Sequence, residues 1–184
     1  MLPGILFSAI IILVAGCLST PLSYEKDPEV WASSIIVNLD ESTGAKLLVG
    51  PGLNAGSSWR GEVNFNLEGF ISEQNDPLTR VVVTCFGIYG RYESAISDVG
   101  NHWDMEVLSR GSVYIKSLNT NPNYDTNRKQ SKVVVAVDIP LDYMREKAGS
   151  GFSFELTGSR DTQIVEVPSA YVTGFLSKLD SYLK

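Results

Sequence analysis

Glu62 to Glu68 sets the tightest limit on what this chain can fold into. Val63, Phe65 and Leu67 alternate there with Glu62, Asn64, Asn66 and Glu68. That is the period of a strand sending side chains alternately to an apolar interior and to water, as in a sheet with one wet face. The period recurs. Ser34 to Asp40 puts Ile35, Val37 and Leu39 on one side, and Ser112 to Leu118 alternates again. Phe152 to Thr157 also alternates, with Phe152, Phe154 and Leu156 expected inward. Val81 to Phe86 and Val133 to Val137 are apolar on both faces, which predicts strands in the middle of a sheet. Gln163 to Val167 is expected to return antiparallel to Phe152–Thr157 through Gly158-Ser159-Arg160-Asp161. The expectation is a mainly β chain: an antiparallel β-sandwich or barrel-like sheet with a short connecting helix and a C-terminal amphipathic helix packed on it.

The two helices are legible from their punctuation. Leu141 to Ala148 follows Pro140, with Asp142 as the expected cap and Gly149 as the stop. The longer one opens at Pro168, where proline's missing N–H costs nothing, and runs to about Leu183. Tyr171, Phe175 and Leu179 are spaced by four, as are Val172 and Leu176, so one apolar stripe is expected to pack on the sheet. Gly174 inside that stripe weakens the helix by about 1 kcal/mol relative to alanine. Its presence points to a backbone approaching closely there.

The N-terminal segment reads differently. Ile5 to Leu13 is an uncharged apolar run, and small residues and polar Ser19, Thr20 and Ser23 follow within a few positions. A membrane-spanning helix needs roughly 20 apolar residues, and this run falls short. A short apolar segment ending in small residues is the form of a secretory signal peptide, although Met1-Leu2-Pro3-Gly4 lacks the usual basic residues. Leu13-Val14-Ala15-Gly16-Cys17 resembles the lipobox of bacterial lipoproteins: Leu, a small residue, Gly or Ala, then Cys. The resemblance implies that the chain is cut before Cys17 and that its thiol carries diacylglycerol. It also implies outer-membrane sorting, facing the periplasm, because Leu18 rather than Asp follows the cysteine; in an organism without an outer membrane the site is the cell membrane. One acyl chain gives marginal anchoring and two or more give a stable one, so a lasting tether to the membrane is expected.

This assigns residues 1–16 to a signal, 17–29 to the lipidated terminus and a tether, and 30–184 to one β-rich domain. Leu18 to Pro28 has two prolines and no period; fully extended at about 3.3 Å per residue it spans a few tens of Å. Cys85, in Val81 to Phe86, is then left without a disulfide partner and is expected to act as a small buried hydrophobe. The net charge of −6 falls wholly after the signal, which argues against a nucleic-acid partner. No internal repeat or heptad is visible.

Candidate chemistry is sparse. The only histidine, His102, lies in a stretch with Asp104 and Glu106. Alternation puts all three on one wet face beside an inward Trp103. One imidazole without a second histidine or a thiolate is poor zinc equipment. Asn119 to Asn127 offers oxygens at alternate positions, but Asp125 is its only acid, so no calcium loop or metal site is expected. It reads as a long loop, whose Asn123, Tyr124 and Asp125 are candidate partner contacts. Gly50 to Gly61 reads as a second polar loop without the lysine of a phosphate cradle. Its Trp59 and Arg60 are residue types that dominate binding hot spots, though a tryptophan folded back on the core is the simpler reading. No Gly-x-Ser-x-Gly elbow appears.

Three functions fit these residues, and no cofactor is implied by any of them. The first is a non-enzymatic module that binds an envelope protein partner. The second is a small-ligand or polysaccharide binder, with Trp59, Tyr89, Tyr92 and Trp103 lining a groove. The third is an envelope-polymer hydrolase using His102 with Asp104 or Glu106. The first is preferred, because every catalytic pattern is weaker than its structural alternative.

Overall fold

The computed structural model describes residues 27–58, 61–87, 92–116, 127–158 and 162–183. In chain order the elements are α1 (Pro28–Ser34), β1 (Ile36–Leu39), β2 (Lys46–Val49), β3 (Leu53–Ser58), β4 (Gly61–Ile71), β5 (Pro77–Gly87), β6 (Tyr92–Ser97) and β7 (His102–Trp103). They continue with β8 (Met105–Lys116), β9 (Asn127–Asp138), α2 (Leu141–Glu146), β10 (Phe152–Gly158), β11 (Thr162–Val167) and α3 (Ser169–Asp180). A seven-stranded sheet runs β1-β2-β4-β5-β9-β8, with β3 also on β4, and a four-stranded sheet runs β11-β10-β6-β7. Every pairing among them is antiparallel. The result is a sandwich-like β domain rather than a closed barrel.

The alternation read from the sequence is realised in burial. Val63, Phe65 and Leu67 are buried, as are Phe152, Phe154 and Leu156. β5 and β9 sit inside the large sheet, flanked on both edges, as their two-sided apolar character requires. Cys85 is buried on β5. Phe152 pairs with Val167 and Thr157 with Thr162, the expected hairpin.

Leu39 departs from its expected inward side. Ile35 is buried and Val37 packs on the core, but Leu39, the last residue of β1 and paired with Lys46, is 58% exposed. Gly50 to Gly61 is mostly strand rather than loop, since β3 pairs with β4 from Leu53↔Phe65 to Ser58↔Gly61. Its glycines and serines are poor strand formers, and the waiting edge of β4 overrides that propensity. Likewise β8 and β9 begin earlier than the expected Ser112–Leu118 and Val133–Val137, and they pair from Met105↔Val137 to Lys116↔Asn127; Ser117 and Leu118 lie outside the described residues.

β2 and β3 lie in line on one edge of β4. Val49 faces Glu68 and Leu53 faces Phe65, so the Gly50-Pro51-Gly52 segment holds one extra residue and forms a bulge. Gly50 N–H donates to the Leu67 carbonyl (2.9 Å). The return bond is made through α3: Leu67 N–H donates to the Tyr171 hydroxyl (3.0 Å), which donates to the Pro51 carbonyl (2.8 Å). A Cβ on Gly50 would collide with that hydroxyl, so the bulge needs glycine there.

α3 carries the expected stripe. Tyr171, Val172, Phe175, Leu176 and Leu179 are all buried, and Phe175 and Leu179 lie over Gly69 of β4. Gly174 is where a backbone comes close: a Cβ there would sit 2.6 Å from Trp31 Cβ and 3.0 Å from Ala32 N, both on α1. Trp31 is fully buried and stacks on Tyr171 with ring centroids 4.6 Å apart.

α1 starts at Pro28, so the last two residues of the expected tether, Pro28 and Glu29, are helical. Asp27 caps it by accepting from Glu29 N–H (2.9 Å), and Pro28 occupies the first helical position. The connecting helix α2 starts after Pro140 without a side-chain cap. Asp142 is therefore not its cap; it sits in the first turn, where its charge favours the helix N-terminus.

Candidate functional site

The two sheets are joined on one side and open on the other. Trp103 pairs with Ala95 in the small sheet, and Met105 pairs with Val137 in the large one. The chain therefore changes sheets at Asp104, whose carbonyl accepts from Asp138 N–H (2.9 Å). On the opposite side, between β3 and β11, lies an open cleft of about 940 Å³. Its floor is apolar: Leu53, Phe65, Phe152 and Val167. Asn54, Ile164 and Glu166 form its lips, and Asp98 and Lys147 wall one end. Small-ligand sites of roughly 300–1,000 Å³ are enclosed and mostly apolar, whereas this cleft is open to solvent and lined by polar and apolar groups alike.

Asp98 ties that end wall together. It accepts from the Tyr143 hydroxyl through Oδ1 and from Lys147 Nζ through Oδ2 (3.4 Å). Tyr143 in turn meets Trp103 edge-on at 5.1 Å and Phe152 at 5.8 Å, while Lys147 Nζ lies 5.5 Å over the Tyr143 ring. The Tyr143 hydrogen bond, helped by Lys147, holds the Asp98 carboxyl below its ordinary value of 3.8. Burial, with Asp98 beside it, pushes the Tyr143 hydroxyl up. A carboxyl lowered in the folded state stabilises the fold above its unfolded pKa. That stability is lost as pH falls through the folded value. Asp98→Asn is therefore expected to flatten the loss of thermal stability below about pH 4, measured as Tm across an acid series against the parent chain.

His102, Asp104 and Glu106 are all exposed, as alternation required, but not for the expected reason. They do not share one strand: His102 belongs to the small sheet and Glu106 to the large one. Glu106 and Asp104 instead face Asp138, whose carboxyl is pushed up by burial and by those two charges, against the pull of Arg80. No group of three metal-ligating side chains occurs among the described residues. Tyr92 and Trp103 belong to the buried core and so do not line a groove. Cys17, Trp59, Arg60, Tyr89, Asn123, Tyr124 and Asp125 lie outside the described residues.

The outer face of the large sheet carries a second feature that alternation alone did not single out. Along one row Asn38, Leu47, Phe70 and Leu78 face one another across β1, β2, β4 and β5. In the next row Ile36 and Val49 lead to Glu68 and Arg80, which pair at 3.2 Å. Ile36 is 54% exposed and Leu78 44%. Five apolar side chains thus meet on a water-facing sheet, bounded by an ion pair. On β4 the polar edge continues through Asn66, which donates to Glu68 (3.3 Å), and through Asn64, Glu62 and Asn54, bonded to each other at 3.0–3.3 Å. Register across four strands builds this patch, so no local pattern announces it. No family model, curated protein or solved structure matches the chain.

Proposed function

We propose that this chain is an outer-membrane-anchored bacterial lipoprotein, held by lipid on Cys17, whose β domain acts as a non-enzymatic protein-binding module of the cell envelope. The lipobox Leu13-Val14-Ala15-Gly16-Cys17 carries the anchoring half of the reading. The observation that supports the binding half is the apolar patch of Ile36, Leu47, Val49, Phe70 and Leu78, since exposed contiguous apolar surface rimmed by polar groups marks interaction sites. The open cleft between β3 and β11 favours a second reading, a small-ligand or polysaccharide binder, through its apolar floor.

Cys17→Ser is expected to move the protein from the membrane fraction to an unlipidated, uncleaved precursor, followed by fractionation and gel mobility. Retention of mature mass and membrane association in that variant would overturn the anchoring half. Crosslinking the anchored chain in cells through a photoreactive residue at Leu78 is expected to capture one discrete protein. Loss of that adduct in Phe70→Asp supports the binding half, and an adduct pattern unchanged by Phe70→Asp contradicts it.

A further inference from the structure

The apolar patch on the outer face of the large sheet has an acidic border. Past the row of Asn38, Leu47, Phe70 and Leu78, the strands close into two turns at the same end of the sheet. Asp40 N–H donates to the Ala45 carbonyl (2.9 Å) in the β1–β2 turn, and Ser72 N–H donates to the Asp76 carbonyl (3.2 Å) in the β4–β5 turn. Asp40 and Asp76 follow and precede that row by two positions, about 7 Å along a strand. With Glu41 and Glu73 they set four exposed carboxylates along this side of the patch. Residues 40–45 and 72–76 contain no lysine, arginine or histidine. Lys46 turns away, with its Nζ 5.8 Å over the ring of Tyr182, just after α3. The Ser42 N–H and hydroxyl donate to Asp40 Oδ1 (2.9 and 2.6 Å) and hold that carboxyl below its ordinary range. The opposite border is no more basic. Arg80 is held by Glu68 at 3.2 Å and stands in register with Asp138, which faces Asp104 and Glu106.

We propose that this face docks a basic amphipathic segment of a partner protein, its apolar side chains covering Ile36, Leu47, Val49, Phe70 and Leu78 and its lysines and arginines meeting the carboxylates of the two turns. This inference rests on the binding half of the proposed function and adds the chemistry of the partner to it. Charge complementarity selects that partner. Potentials of opposite sign steer two surfaces together, and like charges set face to face reject the wrong ones. A second copy of the chain would bring the same carboxylates against these. An anionic bilayer surface would be repelled by them as well. A segment whose apolar side chains are edged by cations satisfies both the patch and its border.

The test uses the full-length chain in isolated membranes, with the photoreactive residue at Leu78. The adduct that Phe70→Asp removes is digested, and its partner peptide is expected to carry lysines or arginines beside apolar residues. A combined variant, Asp40→Asn, Glu41→Gln, Glu73→Gln and Asp76→Asn, removes the four charges and keeps an acceptor at position 40 for Ser42. It is expected to lower the adduct yield several-fold at about 0.1 M salt, where charges act over about 10 Å. It should also abolish the fall in yield that the parent chain shows as salt rises toward about 1 M. Glu73→Lys alone is expected to act in the same direction, and circular dichroism checks that both variants fold. A Phe70-dependent protein adduct whose yield is unchanged in both folded variants overturns this inference and leaves the binding reading standing. So does a partner peptide that is acidic or uncharged. An adduct formed only with a second copy of the chain or with lipid also overturns it. Absence of any discrete Phe70-dependent adduct overturns the binding reading itself, and this inference with it.

Discussion

Gly174→Ala is expected to destabilise the domain by about 3 kcal/mol or more, the range seen when a large buried aromatic loses its packing. In an ordinary helix interior the same change gains close to 1 kcal/mol. The sign reverses because the added methyl has no space: it meets Trp31 Cβ at 2.6 Å and Ala32 N at 3.0 Å, and the second of these is backbone. α1 must then move off α3, and Trp31, fully buried against Tyr171, loses its stack. Thermal unfolding reads this directly, since 1 kcal/mol corresponds to about 2–4 °C of Tm for a domain this size. A stabilised or unchanged alanine variant would mean that α1 does not dock at Gly174.

Tyr171→Phe is expected to cost about 2–5 kcal/mol, although it removes a single oxygen. The ring, its stack on Trp31 and its burial all stay. What goes is the acceptor for Leu67 N–H and the donor to the Pro51 carbonyl. The buried Leu67 N–H is left without its partner, at about 1–3 kcal/mol, and the partly buried Pro51 carbonyl adds up to about as much again. Chemical denaturation should show the loss as a lower midpoint at constant slope. Gly50→Ala is expected to fall in the same direction, because its Cβ would occupy the hydroxyl's position. A Phe variant as stable as the parent would place the bulge's return bond elsewhere.

Those two positions also show how far sequence reaches. Gly174 announces itself, because a glycine inside a sound amphipathic stripe asks for a physical reason, and a close helix supplies it. β5 and β9 are equally legible, since strands apolar on both faces have few places in a sandwich except the middle. The hydroxyl of Tyr171 is different. Its place on the buried stripe is readable, but its bonds depend on a bulge 120 residues earlier in the chain. α1 carries a readable signal in Asp27-Pro28, a cap followed by proline at the first position, which the irregular polar stretch before it conceals.

β3 and the corner at Asp104 fail for a shared reason. Pairing partners far along the chain decide them, and local period is silent about partners. Leu53 to Ser58 becomes strand because the edge of β4 is available. His102 to Glu106 keeps strand alternation while changing sheets midway, so three side chains that looked clustered are divided between layers. The cleft is assembled from β3, β4, β10, β11 and two turns, and the outer patch from four strands in register. Neither has a linear signature. Side chains from alternation are predictable one strand at a time; surfaces built across strands are not.

The most direct measurement is mass spectrometry of the N-terminal peptide of the mature protein purified from membranes. The expected result is a chain beginning at Cys17 with its thiol in thioether linkage to diacylglycerol, and no peptide from residues 1–16. An unmodified Cys17 inside a peptide that continues back into Val14-Ala15-Gly16 would contradict it.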